Sequence, residues 1–280
     1  MLRKTIVRGL LAVAAVLVAG VVWLALMRPS SDRPWIPDHA VMPRVAFQEN
    51  LVSIENVRDF QEDEGGEVRR AYRTWQLDLD RVESLWYVLA VFHEDDWRGP
   101  AHSMFSFGFA DGRYLVVSVE ARKEVGESYS IWQGLRNKYE VIYVLGTEQD
   151  LVLTRAVHRP DDVYLYPVKA SPARIRDLLT SLLVKADDLN RHPEFYNTLT
   201  NNCTTKLRDH VNEVEPGLIP LSWKVQLPGF SDELARDLGL IDASLPIDEA
   251  RRRYHINAAA RQARDAPDFS ARIRAGIGGP

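Results

Sequence analysis

The sequence predicts an α+β domain in which an antiparallel sheet packs against a helix bearing the chain's only cysteine. Three observations lead there. Apolar residues alternate or run continuously in short stretches through residues 51–168, the signature of strands. From Ser171 onward the period changes to that of amphipathic helices. And Cys203 stands where a polar turn hands over to Leu207, Val211 and Val214 at helical spacing.

The chain's 280 residues, 46% hydrophobic and 26% charged, are ordinary for one sizeable globular domain. A net charge of −4 gives no support for nucleic-acid binding. One cysteine excludes an intramolecular disulfide and any multi-cysteine zinc site. There is no GxGxxG, P-loop or HExxH pattern, so neither a metal nor an organic cofactor is expected.

Taken in order, residues 1–28 read as a membrane anchor. Arg3, Lys4 and Arg8 lead into an uncharged run over 9–27 that is about long enough to cross a bilayer as a helix. The basic start orients the N-terminus inward and exports the rest. The rival, a cleavable signal peptide, fits less well: the run is long, and Leu24-Ala25-Leu26-Met27 is a poor small-x-small cleavage site. The expectation is a single-pass protein of the inner (cytoplasmic) membrane with its domain in the periplasm. Residues 29–49, with Pro29, Pro34, Pro37 and Pro43, read as an extended tether. The domain proper is expected over 50–255.

Strands are expected over 51–60, 68–79 and 85–92, then over 101–109 and 114–122 around the turn Ala110-Asp111-Gly112-Arg113. Residues 123–138 read as a flap with a short helix. Residues 139–145 and 151–157 read as a further hairpin, and 163–168 as a last strand. Ser171 caps and Pro172 starts a helix whose buried stripe is Ile175, Leu178, Leu179, Leu182, Leu183, Ala186 and Leu189. A short helix follows Ser231, a basic helix covers 246–264, and the Gly-rich end after Asp265 reads as disordered, giving a last segment over 256–280.

Two stretches carry chemistry. Thr200, Asn201 and Asn202 are N-cap types, so Cys203 is expected in the first turn of a helix, where free amides and the helix dipole favour a thiolate. A lone cysteine is most often a small buried hydrophobe. Against that stand the polar neighbours, the helix-start position and a histidine upstream. In 101–109, Phe105 and Phe107 share one strand face, and His102, Met104 and Ser106 the other. A three-residue turn with Gly112 left-handed sets the Phe face beside Leu115, Val117 and Val119, and places His102 across from Glu120 with Arg122 diagonal. His102, Ser106, Ser118, Glu120 and Arg122 then form one polar patch. The bland alternative is a solvated hairpin face.

A strand histidine that precedes an Asn-Cys helix resembles the circularly permuted branch of the NlpC-like, papain-like cysteine enzymes. Read together, residues 102–109, 118–124 and 195–205 are similar to the Lnb N-terminal periplasmic domain family over about residues 38–255. That resemblance implies a circularly permuted papain-like fold and an activity like that of the family's named member, a lipoprotein acyltransferase. It maps the catalytic cysteine and histidine onto Cys203 and His102. The chain departs from the family in having no second apolar span after the domain and Gln149 where arginine is expected.

The expected chemistry is acyl transfer or hydrolysis through a Cys203 thioester, with His102 as base and then acid, and Glu120 orienting it. The Cys203 amide, helped by Asn202 or Arg122, would hold the oxyanion; Ser118 and Ser106 would meet substrate. A membrane lipid or lipoprotein is the expected substrate. Two other readings stand: a cell-wall peptidase or amidase, which needs a polar groove rather than an apolar slot, and a non-enzymatic envelope binding module.

Overall fold

The computed structural model describes residues 2–63, 65–92, 97–159 and 161–279, with backbone alone for 2–5, 17 and 21–25. Helix α1 (Leu2–Leu26) precedes strands β1 (Arg44–Gln48), β2 (Leu51–Arg58), β3 (Gln61–Glu62), β4 (Val68–Arg69), β5 (Tyr72–Asp78), β6 (Val82–Val91), β7 (Ala101–Phe109) and β8 (Tyr114–Arg122). Then come α2 (Ile131–Gly134), β9 (Glu140–Thr147), α3 (Glu148–Leu153), β10 (Asp162–Pro167) and α4 (Pro172–Asp188). The chain closes with α5 (Cys203–Val214), α6 (Trp223–Gln226), α7 (Ser231–Asp237), α8 (Ile247–Tyr254), α9 (Asn257–Ala263) and α10 (Phe269–Arg272).

The main sheet runs β1-β2-β9-β8-β7-β6-β10, with β5 also paired to β2. It is mixed, not antiparallel as expected, because β2 meets β9 in parallel at Arg58 and Gly146. A Cβ on Gly146 would stand 3.0 Å from the Arg58 carbonyl oxygen, so glycine is what lets the two strands close. The β7–β8 hairpin turns through Gly112 at φ 81° and pairs Phe105 with Val117 and Phe107 with Leu115. The alternation that buries these apolar pairs fixes that register.

Helical layers cover both faces. Helix α4 is capped by Ser171, opened by Pro172, and buries Ile175, Leu178, Leu179, Leu182, Leu183 and Ala186. Each leucine so buried contributes about 1.5–3 kcal/mol relative to exposure. Helices α4 and α5 lie over β6, β7 and β8, whereas α3 meets β8 and β9 from the side of Ser106, with α9 and α10 packed behind it. All nine residues of β7 are buried.

Several expectations are corrected. Residues 9–26 of that run are helical within α1, but among the described residues no helix is long and apolar enough to cross a membrane. Residues 148–158 form α3 and a π-helical turn, not a strand, because a short apolar run suits a buried helix equally. The basic helix is two, α8 and α9, separated where His255 bridges to Tyr164. The glycine-rich end is packed: Phe269, Ile273 and Ile277 are buried.

One contact holds the start of β7. Gly229 N–H donates to the Gly99 carbonyl at 3.1 Å, and Arg98 Nε donates to the Gly229 carbonyl at 2.7 Å. A Cβ at Gly229 would stand 1.5 Å from the Arg98 carbonyl oxygen. Gly229→Ala is therefore expected to lower stability by about 1–3 kcal/mol. Gly279→Ala, where nothing lies within 4 Å, should leave the thermal melt unchanged.

Candidate active site

Helix α5 begins at Cys203 because Asn202 stops the chain in an extended conformation. Its Oδ1 accepts the Thr205 N–H at 2.9 Å while Thr205 Oγ1 accepts the Asn202 N–H at 2.8 Å, a reciprocal capping box. Asn202 Nδ2 donates to the Thr198 carbonyl at 2.7 Å. Its side chain is thus committed to building the turn, not turned toward a ligand.

A chain of hydroxyls docks α5 on β7. Ser231 Oγ donates to the Pro228 carbonyl, which can only accept. Ser231 must then accept from Tyr87 at 2.6 Å, Tyr87 from Ser103 at 2.8 Å, and Ser103 from Thr204 at 3.0 Å. With its proton spent on Ser103, Thr204 Oγ1 faces Cys203 Sγ at 3.7 Å as an acceptor for S–H. The Ser103 backbone lies near enough to the sulfur to favour its thiolate form. The thiol thus sits against the peptide joining His102 to Ser103.

The sheet opens at this place. The β7–β8 ladder ends at Met104 and Ser118, while β7 stays paired to β6 as far as Ala101 and β8 to β9 as far as Arg122. On the far face, His102 Nε2 meets Ser118 Oγ at 2.7 Å, and Ser118 Oγ donates to Glu120 Oε1 at 2.9 Å. A carboxylate only accepts, so Ser118 spends its proton on Glu120 and accepts from His102. Neutral His102 therefore carries its proton on Nε2, leaving Nδ1 with the lone pair. Burial, with Arg155 adding to it, pushes the His102 pKa down to about 3, so the ring is neutral at pH 7.

His102, Ser118 and Glu120 are thus brought together, and the Cys203 thiol meets the backbone beside His102. No hydrogen bond joins the His102 ring to Cys203 among the described residues, so the expected direct contact is not made. Ser106 is elsewhere: it donates to Glu148 Oε1 at 2.5 Å, in a cluster with Arg274. Arg122 also lies apart, donating to the carbonyls of His39 at 2.9 Å and Ala40 at 3.2 Å, with its guanidinium over Trp35. The sequence reading missed His39, whose Nε2 lies 3.3 Å from Glu120 Oε2. The residues 37–39 form one short turn inside a proline-rich segment, with no pattern that marks a buried side chain. It also missed Thr204 and Ser103.

The electrostatics reverse one expectation. Burial pushes the Cys203 thiol above its ordinary value of 9.0, although the Ser103 amide works the other way. Burial also opposes the Glu120 carboxylate, but the hydrogen bond from His39 and the nearby His102 outweigh it, holding Glu120 well below the ordinary 4.5. Among the described residues no group of three or more His, Cys, Asp or Glu side chains is arranged to hold a metal.

Fold and site together define the class: an α+β domain with a capped-helix cysteine set against the strand backbone beside a histidine that a carboxylate orients through a serine. The chain belongs to the family of Lnb N-terminal periplasmic domains, whose model matches residues 69–229. It is accordingly a periplasmic domain. No curated protein and no solved structure matches the chain, and the likeness to NlpC-like enzymes is not confirmed.

Two outcomes follow. Between pH 6.5, the ordinary histidine value, and about 3, the unfolded chain protonates at His102 and the folded chain does not. Stability present above pH 6.5 should therefore fall with acidification, steepening below 4.5 as Glu120 joins. In thermal melts across this range, His102→Gln should weaken the upper part of that dependence, with His210, also lowered by burial, supplying the remainder. In the second, iodoacetamide should label folded Cys203 more slowly than a model thiol at pH 7, with the rate rising as pH increases. Labelling as fast as the model thiol would show that the helix start outweighs burial.

Proposed function

We propose that this periplasmic domain is a cysteine-dependent acyltransferase or hydrolase acting on the acyl group of a membrane lipid or lipoprotein. The observation that carries this reading is an apolar cavity of about 300 Å³ under α5. Thr204 and Leu207 line it one residue and one turn from Cys203, and Leu178, Val211, Ile219 and Leu234 line it further in. An acyl chain fits such a lining; a cell-wall peptide would want a polar groove.

In this reading the acyl chain lies in the cavity with its carbonyl at Cys203. The sulfur attacks the carbonyl carbon as the thiol proton passes to His102 Nδ1, which must swing toward the sulfur for this step. The Cys203 amide, at the first turn of α5, holds the oxyanion. Collapse breaks the bond to the leaving oxygen, which takes the proton from His102 and leaves a thioester. A hydroxyl or amine acceptor, or water, then attacks the thioester with His102 again as base, the C–S bond breaks, and the leaving sulfur takes the proton back from His102. Glu120, through Ser118, supports the positive charge that passes over the imidazole.

The second reading is a binding module that holds an acyl chain without reacting. The unmade His102–Cys203 bond and the raised thiol pKa favour it.

Incubation with a p-nitrophenyl long-chain ester, followed by intact mass, separates the two. Acyl chemistry gives a hydroxylamine-sensitive adduct that Cys203→Ala abolishes and His102→Ala slows by about 10²–10⁴-fold. The double variant should be no slower than the worse single one. Chain binding with no adduct on the wild-type protein would establish the binding module.

A further inference from the structure

Glu120 is the fixed point of the relay, and its second oxygen is served from outside the sheet. His39 lies in the turn Pro37–His39 and is 3% exposed. The segment that carries it is strapped across the end of β8. Ile36 N–H donates to the Lys123 carbonyl at 3.0 Å, Val125 N–H to the Pro34 carbonyl at 2.7 Å, and Arg122 to the carbonyls of His39 and Ala40. The Lys123 amide donates to His39 Nδ1 at 3.1 Å. An amide N–H can only donate, so neutral His39 carries its proton on Nε2, aimed at Glu120 Oε2 3.3 Å away.

We propose that His39 is a positioning residue of the site: its Nε2–H keeps Glu120 ionised, and so fixes the direction of the relay and the tautomer of His102. The proposal rests on the reading of His102 as the base. Without His39, Glu120, whose side chain is 18% exposed, keeps only the Ser118 bond, and the balance shifts toward its protonated form. Protonated Glu120 donates to Ser118, Ser118 turns its hydroxyl proton to His102 Nε2, and the imidazole proton moves to Nδ1. The lone pair that would accept the thiol proton is then gone.

The other charged groups around Glu120 do not replace this bond. Arg155 Nη1 is turned to Asp161 at 3.3 Å, and Arg58 is bidentate to Asp150 at 2.8 and 2.9 Å. Lys123 contributes its charge, and its backbone amide holds His39 itself. The segment before the sheet is thus part of the site, not only a tether.

The test is ¹⁵N-histidine NMR of the full chain in detergent at pH 7, with adduct formation measured in parallel. Wild-type His102 should report as Nε2–H. His39→Phe should convert it to Nδ1–H and slow adduct formation by about 10²-fold. His39→Gln should retain both, because its amide can donate to Glu120 while its oxygen accepts from Lys123. A second route leaves the strap intact. In Glu120→Gln, the His39 Nε2–H selects the amide oxygen, the NH₂ faces Ser118, and His102 should again become Nδ1–H.

An unchanged His102 tautomer in His39→Phe, or in Glu120→Gln if the first variant does not fold, overturns the proposal. A tautomer that switches although the wild-type protein never forms an adduct sustains it and sinks the acyl-transfer reading instead.

Discussion

Strand β7 is buried along its whole length on both faces, yet it carries His102, Ser103 and Ser106. A buried polar group without a partner costs about 1–3 kcal/mol, so each of the three must be answered from a neighbouring element. The answers organise the molecule. Ser103 is met by Tyr87 on β6 and Thr204 on α5, which docks the cysteine helix. Ser106 is met by Glu148 on α3, which Arg274 neutralises from the C-terminal segment. His102 is met by Ser118 and through it by Glu120 and His39. The three side chains draw on both helical layers and on the segment before the sheet, so the site cannot form before most of the fold has.

Competing terms decide the state of the thiol. A charge at a helix N-terminus gains about 0.3–1 kcal/mol, less than one pKa unit. Full burial can move a pKa by up to 3–5 units. At 4% exposure Cys203 feels the second effect more than the first, and its pKa rises. The sequence reading sets the polar neighbours, the helix start and the upstream histidine above the buried-hydrophobe alternative, because burial of a residue flanked by Asn202 and Thr204 is not local information. In the proposed mechanism, the neutral thiol and neutral imidazole that result would make proton transfer part of the attack itself.

The same limit separates what was legible from what was not. The hairpin register followed from Gly112 and the alternation of Phe105 and Phe107 against Val117 and Leu115, since a one-residue slip would exchange the faces. The stripe of α4 was legible for the same reason. Residues 151–157 were misread because a short apolar run has no diagnostic period. The glycines near the end hid Phe269 and Ile273, whose burial depends on partners far away in sequence. His39 left no trace, because its partners, Glu120 and Lys123, are more than eighty positions distant.

The thiol lies beside the opening in the β7–β8 ladder, between the two halves of the site. On the α5 face, behind Thr204 and Leu207, is a mostly apolar cavity that suits an apolar chain. On the other face are the proton-handling groups, which need fixed dipoles and charge. An intact ladder would separate them with a continuous strand pair. Here the ladder stops at Met104 and Ser118, and the backbone of Ser103 lies near the sulfur. Opening a sheet at its centre forgoes ladder hydrogen bonds that a purely structural hairpin would keep. The groups gathered at the opening, a thiol on one side and an oriented imidazole on the other, are those a thioester mechanism would need to share.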